Sequence, residues 1–125
     1  MKRLVLTMFL VLTTLSLSAC TQQKLSFDEV DNVPEKVTEA INHDEQLQVI
    51  NRSGKIYYIV FQSQKDVEAS LESVDRIALV KLDEVDSKDN DVRQYIYSLT
   101  MDQYHDTIEI KVNGESMAHP MIIIK

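Results

Sequence analysis

The chain holds one cysteine, two glycines, two prolines and no tryptophan in 125 residues. A lone cysteine excludes an intramolecular disulfide, so a folded domain here must stand on its apolar core. Gly54 and Gly114, the only glycines, are too few for a phosphate-cradling loop, a dinucleotide fingerprint or a Gly-x-Ser-x-Gly elbow. Neither Ser-x-x-Lys nor His-Glu-x-x-His occurs, which removes the readings those motifs carry. Basic side chains are the minority, 13 against 20 acidic ones, for a formal charge of −7. That sign excludes nucleic acid as a partner and electrostatic adhesion to anionic lipid headgroups. With no glycine-rich loop, no nucleotide or other cofactor is expected.

What is present begins with an apolar N-terminus. Lys2 and Arg3 precede Leu4 to Leu17, an apolar run of 14 residues, and Ser18-Ala19 follows. These are the three parts of an export signal. An uncleaved membrane span needs about 20 mainly apolar residues, whereas this run is shorter and contains Thr7, Thr13, Thr14 and Ser16. Leu17-Ser18-Ala19-Cys20 resembles the lipobox of bacterial lipoproteins, and the resemblance covers residues 1 to 20 only. It implies a diacylglyceryl thioether on the Cys20 sulfur and cleavage after Ala19. The membrane is then a partner through Cys20, and the extracytoplasmic face of the cell membrane is the expected location. Removal of Lys2 and Arg3 leaves 11 of the 13 basic side chains against 20 acidic ones, a charge of −9.

The expected organisation is a signal over 1–19, a lipidated tether over 20–31 and one β-rich domain over 32–125. Val33 to Asn42 predicts a short amphipathic helix, with Pro34 in its first turn and Val33, Val37, Ala40 and Ile41 on one stripe. From Gln46 the period changes to two. Ile56 to Phe61 is apolar on both faces, which predicts a central strand. Val67 to Ser73 alternates apolar and polar residues and is read as a strand in preference to a helix. Ile77 to Leu82 and Val92 to Leu99 predict two more strands. Asn113-Gly114 predicts a type I′ hairpin that sets Ile110 opposite Met117 and Ile108 opposite His119. Pro120 then forces a bulge or an edge before Met121 to Ile124 resumes as a buried run. The fold class is mainly β: an antiparallel β-sandwich-like domain with one short N-terminal helix, the alternative being an α+β sheet with that helix on one face.

Candidate chemistry is sparse. His43-Asp44-Glu45 and Tyr104-His105-Asp106 each set an imidazole beside a carboxylate, as general bases and metal ligands require. An enzyme would need a cleft that gathers His43, His105 and a carboxylate; a shared metal site would add His119. The acidic stretch Asp83 to Asp91 offers Asp86, Asp89 and Asp91 as ligands for extracellular calcium. Lys88 interrupts the stretch, and the glycine of the helix-loop-helix calcium loop is missing. Tyr57, Tyr58, Tyr95 and Tyr97 fall on strands in adjacent pairs and are read as half-buried cross-strand packing, the alternative being an outward-facing row suited to carbohydrate or peptide. The expected role is therefore non-catalytic: a lipid-anchored acidic domain that binds another, unidentified envelope protein. A cation or small-ligand binder using Asp83 to Asp91 is the second expectation.

Overall fold

A computed structural model describes residues 24–124; Cys20 and the signal segment lie outside them. The elements are β1 (Ser26–Glu29), α1 (Glu35–Ala40), β2 (Leu47–Ser53), β3 (Ile56–Ser63), β4 (Asp66–Val74), β5 (Ile77–Val85), β6 (Arg93–Thr100), β7 (Thr107–Val112), β8 (Glu115–Ser116) and β9 (Met121–Ile123). They form a five-stranded sheet in the order β1-β6-β3-β2-β9 and a four-stranded sheet in the order β4-β5-β7-β8.

β3 sits in the middle of the larger sheet because it has something apolar to bury on each side. Ile59 and Phe61 meet Val80, Leu82 and Ile110 of the facing sheet, with Leu47, Val49 and Leu99 around them. Tyr58 and Val60 turn the other way, with Ile50, under Val37 and Ile41 of the helical segment. The result is three layers: helix, five-stranded sheet, four-stranded sheet. The chain is mainly β, as its periodicity predicts.

The pairing departs from an all-antiparallel scheme at two places. β7 runs parallel to β5, from Ile77 opposite Thr107 to Leu82 opposite Val112. β9 runs parallel to β2, with Val49 opposite Met121. Both follow from changes of sheet. The Met101–Asp106 connection carries the chain from β6 across to the free side of β5, and Pro120, which has no N–H to give a ladder, marks the return to β2. There the Pro120 carbonyl accepts the Val49 N–H at 3.0 Å. The hairpin at Asn113 and Gly114 has φ of 53° and 82° as its sequence predicts, and the Met117 N–H reaches the Ile110 carbonyl at 3.3 Å. The predicted Ile108–His119 pairing does not form, because the ladder ends at Lys111–Ser116.

Three further expectations are corrected. β1 lies inside the stretch assigned to the tether and pairs with β6, with Phe27 opposite Leu99. The helix is six residues, with Pro34 at its N-cap. Met121 and Ile123 are not a buried run but are 50% and 68% exposed, because β9 is an edge strand; only Ile122 and Ile124 pack, on the helix side. Val67 to Ser73 is strand throughout.

Tyr97 is 2% exposed and stacks on Phe27 at 5.3 Å between ring centroids. Its hydroxyl has no hydrogen-bond partner among the described residues. Burial, followed by the negative charge of Glu29, pushes its pKa up to about 12. A raised acid pKa means that the fold favours the neutral phenol. The associated stability is complete below the unfolded value near pH 10 and is lost as pH rises toward 12. Tyr97→Phe is expected to stabilise the domain by ~1 kcal/mol at pH 7, since it removes an unsatisfied buried group, and to flatten the alkaline loss. Urea melts at pH 7 and pH 11 check both expectations.

Candidate functional site

The four tyrosines do not make an exposed row. Tyr58 is buried under the helix, whereas Tyr57, Tyr95 and Tyr97 all belong to the core between the sheets. Tyr95 and Tyr97 are two residues apart and so share a face. The Tyr95 hydroxyl donates to the Lys65 carbonyl at 3.0 Å.

The acidic loop is also committed internally. Asp83 and Glu84 are strand residues of β5. The Glu84 carboxylate accepts from the Ser63 hydroxyl and from the Asn113 amide at 2.9 Å. The Ser63 hydroxyl is the main cause that holds Glu84 below the usual carboxylate range. Asp89 accepts from the Arg93 guanidinium at 2.7 Å, and Arg93 also pairs with Asp66. Asp91 gives its backbone N–H to Asp89 at 3.3 Å, and Asp86 is exposed. No group of three His, Cys, Asp or Glu side chains able to hold a metal ion occurs among the described residues, so the loop does not gather Asp86, Asp89 and Asp91 as a cation site.

The histidines fall at separate places. His43 is exposed, and its carbonyl accepts from Gln62 at the far end of β3. His119 directs Nδ1 to the Met117 carbonyl at 3.0 Å. His105 lies by contrast at the start of β3, where Lys55 donates to the Asp102 carbonyl at 2.8 Å and its own carbonyl accepts the Met101 N–H. The length of β3 alone, ~3.3 Å per residue, puts about 20 Å between the His43 and His105 ends. They cannot share a cleft.

His105 finds different partners. Its Nδ1 is 2.7 Å from Asp102 Oδ1, and its backbone N–H donates to the same oxygen at 2.8 Å. Its Nε2 is 2.6 Å from the Ser73 hydroxyl, contributed by β4 of the other sheet. A carboxylate accepts only, so Nδ1 carries a proton, and in the neutral ring the Ser73 O–H donates to Nε2. Asp102 lies below the usual carboxylate range, first because of the His105 backbone N–H and then because of the imidazole. His105 is 8% exposed, whereas Ser73 is open to solvent. The expected His105–Asp106 pairing is replaced, since Asp106 faces Arg76 at 3.7 Å. Arg76 also lies over the Tyr104 ring at 5.8 Å, and that ring stands edge-on to His105.

The second feature is the free edge of β4. It has nine residues, while the other sheet edges, β1, β8 and β9, have four, two and three. Short edges are a standard protection against unwanted strand pairing. Among the described residues β4 lacks that protection over ~30 Å at ~3.4 Å per residue. Val67, Ala69 and Leu71 pack inward, and Glu68, Ser70 and Glu72 are exposed. Glu68 stands opposite Asp83 of β5. The sequence made β4 legible as a strand but carried no sign that it ends a sheet.

Two open clefts lie elsewhere. One of about 560 Å³ is lined by Pro34, Arg52, Ile56 and Ile124 among others. The second, about 330 Å³, is lined by Gln62, Ser63, Lys65 and Glu84 among others. Neither includes Ser73, Asp102 or His105. No helix among the described residues is long and apolar enough to cross a membrane. No protein-family model, curated protein or solved structure matches the chain.

Proposed function

We propose that this is a lipoprotein held on the extracytoplasmic face of the cell membrane by a diacyl group on Cys20, and that its sandwich binds an extended, basic segment of another envelope protein along β4. The observation that carries the binding role is the nine-residue free edge. An incoming strand satisfies its unpaired N–H and C=O groups, while alternate side chains set specificity. Charge chooses the occupant. Antiparallel pairing of two copies centred on Ser70 would set Glu68 of each against Glu72 of the other, and like charges directly opposite are destabilising; Glu72 is shared with Lys81 at 2.7 Å, so Glu68 carries most of that charge. A lysine or arginine on the added strand meets Glu68, which already faces Asp83. With β1 starting at Ser26, residues 20–25 span at most ~20 Å at ~3.4 Å each, so the dock works close to the bilayer.

Two tests separate the anchor from the dock. Radiolabelled palmitate is expected to mark the wild-type protein in cells and not Cys20→Ser; an unlabelled wild-type protein overturns the anchor. A photocrosslinking residue at Ser70 is expected to capture one partner through a Lys- or Arg-bearing segment, and a synthetic peptide of that segment is expected to shift the backbone amide resonances of β4. Glu68→Lys with Glu72→Lys is expected to abolish capture without changing the melting temperature by more than a few degrees, since exposed charges contribute little to stability. Capture that survives this double reversal, or crosslinks to a second copy, overturns the basic-strand dock.

A further inference from the structure

We propose that Ser73 is an acyl-accepting nucleophile, activated by His105 and positioned by Asp102, with exposed carboxylic esters as its substrate class. The proposal does not depend on the anchor, and its serine lies at the C-terminal end of the strand whose edge forms the proposed dock.

The geometry has the three relations that nucleophilic catalysis by serine requires. The hydroxyl is within hydrogen-bond reach of the base, 2.6 Å from Nε2. The base is oriented by a carboxylate 2.7 Å from Nδ1, which fixes the tautomer that leaves Nε2 free to take a proton. The carboxylate is held in turn by the His105 backbone N–H at 2.8 Å, and its residue is anchored by Lys55 through the Asp102 carbonyl. Burial is divided accordingly. The imidazole is enclosed and cannot swing away, while the serine is open to solvent on an edge strand. Ser73 keeps the inward register of Val67, Ala69 and Leu71 but comes at the strand's end, where the core stops.

A simple tie between the sheets would not need this order of groups. A threonine or asparagine, or water, would satisfy Nε2 equally well; a serine on an exposed strand end, bonded to an imidazole whose other nitrogen is held by a carboxylate, has the arrangement of an activated nucleophile. Arg76, in the turn that follows β4, adds a cation to the same corner through its stack on Tyr104.

The reaction balances without a co-reactant other than water. Ser73 Oγ bonds to the ester carbonyl carbon as its proton passes to Nε2, and the Asp102 carboxylate stabilises the imidazolium. The tetrahedral oxyanion collapses, the C–O bond to the alkoxide breaks, and Nε2 returns the proton to the leaving alcohol. Water then attacks the acyl carbon, gives its proton to Nε2, and the acid leaves as Ser73 is reprotonated. With no leaving-group donor beyond Nε2 in the arrangement described, esters with good leaving groups are favoured over amides.

The mature protein is treated with a fluorophosphonate probe and with p-nitrophenyl acetate. One probe molecule is expected on Ser73 by peptide mass spectrometry, with a burst of one nitrophenolate per protein. Ser73→Ala is expected to lose both with an unchanged melting temperature. Asp102→Asn keeps an oxygen for the backbone N–H but removes the charge behind the imidazole. It is expected to slow labelling by roughly 10²-fold or more and to change its pH profile, which a merely structural hydrogen bond would not do. His105→Gln empties an enclosed site, so Ser73→Cys serves as the second probe of the base: its thiol is expected to react with iodoacetamide faster than free cysteine at pH 7. No label on Ser73, label that persists in Ser73→Ala, or wild-type rates in Asp102→Asn overturn the proposal.

Discussion

Phe61→Ala is expected to lower the unfolding free energy by about 3–5 kcal/mol, the usual range for an aromatic removed from a closed core. Phe61 is fully buried and sits on the central strand of the larger sheet, opposite Leu47 on one side and Tyr95 on the other. It projects into the cluster that joins the two sheets, so the cavity left by alanine is walled by neighbours on two ladders and a facing sheet and cannot collapse without shifting a strand. A domain of this size has roughly 5–15 kcal/mol of stability, so this single change removes a large share. Val74→Ala, at the 44% exposed end of β4, is the control and is expected to cost less than ~0.5 kcal/mol. Urea denaturation of the two variants decides the matter. A loss below ~1 kcal/mol for Phe61→Ala would mean that the sheets are not packed through β3.

That core was legible in the sequence wherever the signal is local. Six consecutive apolar residues from Ile56 told of a strand buried on both faces, and Asn113-Gly114 told of a turn with two positive φ angles. Strict alternation over Val67 to Ser73 told of a strand with one wet face. β1 was hidden because its four residues, Ser26 to Glu29, hold one apolar side chain and two acids; the stack of Phe27 on Tyr97 and the ladder to β6 are what dock it. Parallel pairing of β5 with β7 was hidden because direction depends on where the intervening chain crosses, which no residue in either strand records. The turn between β4 and β5 was hidden as well, since Asp75 takes a φ of 53° without a glycine.

The site failed to show for a related reason. Sequence inspection pairs His105 with its neighbour Asp106, yet the chain turns there, and Asp106 goes to Arg76. The true partners are Asp102, one turn back, and Ser73, which only the packing of two sheets brings close. The spacing Asp102-x-x-His105 was the one local clue, since an aspartate side chain commonly accepts a backbone N–H a few residues on. Ser73 had none.

Gln48→Leu is expected to destabilise the domain by about 2 kcal/mol, although it makes a buried position more apolar. Gln48 is fully buried on β2, next to Leu47 and Val49, which face the other sheet; its side chain therefore points to the helix layer. There its amide donates to the Asn42 carbonyl at 2.8 Å and its oxygen accepts the Asn42 N–H at 2.9 Å. Both bonds hold the chain just past α1, a helix of six residues that is far too short to persist without tertiary support. Leucine fills nearly the same volume, so little cavity forms. What is lost is the partner of two backbone groups at once, at roughly 1–3 kcal/mol for each that stays dry, with less for one that reaches water. Gln62 braces the same loop from β3, donating to the carbonyls of His43 and Glu45 at 3.1 Å, so the loss is expected to be local before it is global. Amide hydrogen exchange is expected to quicken first over residues 37–45 while β3 and β6 keep their protection. Uniform quickening across the sheets would show instead that Gln48 supports the whole sandwich, and no change would show that water replaces both bonds freely.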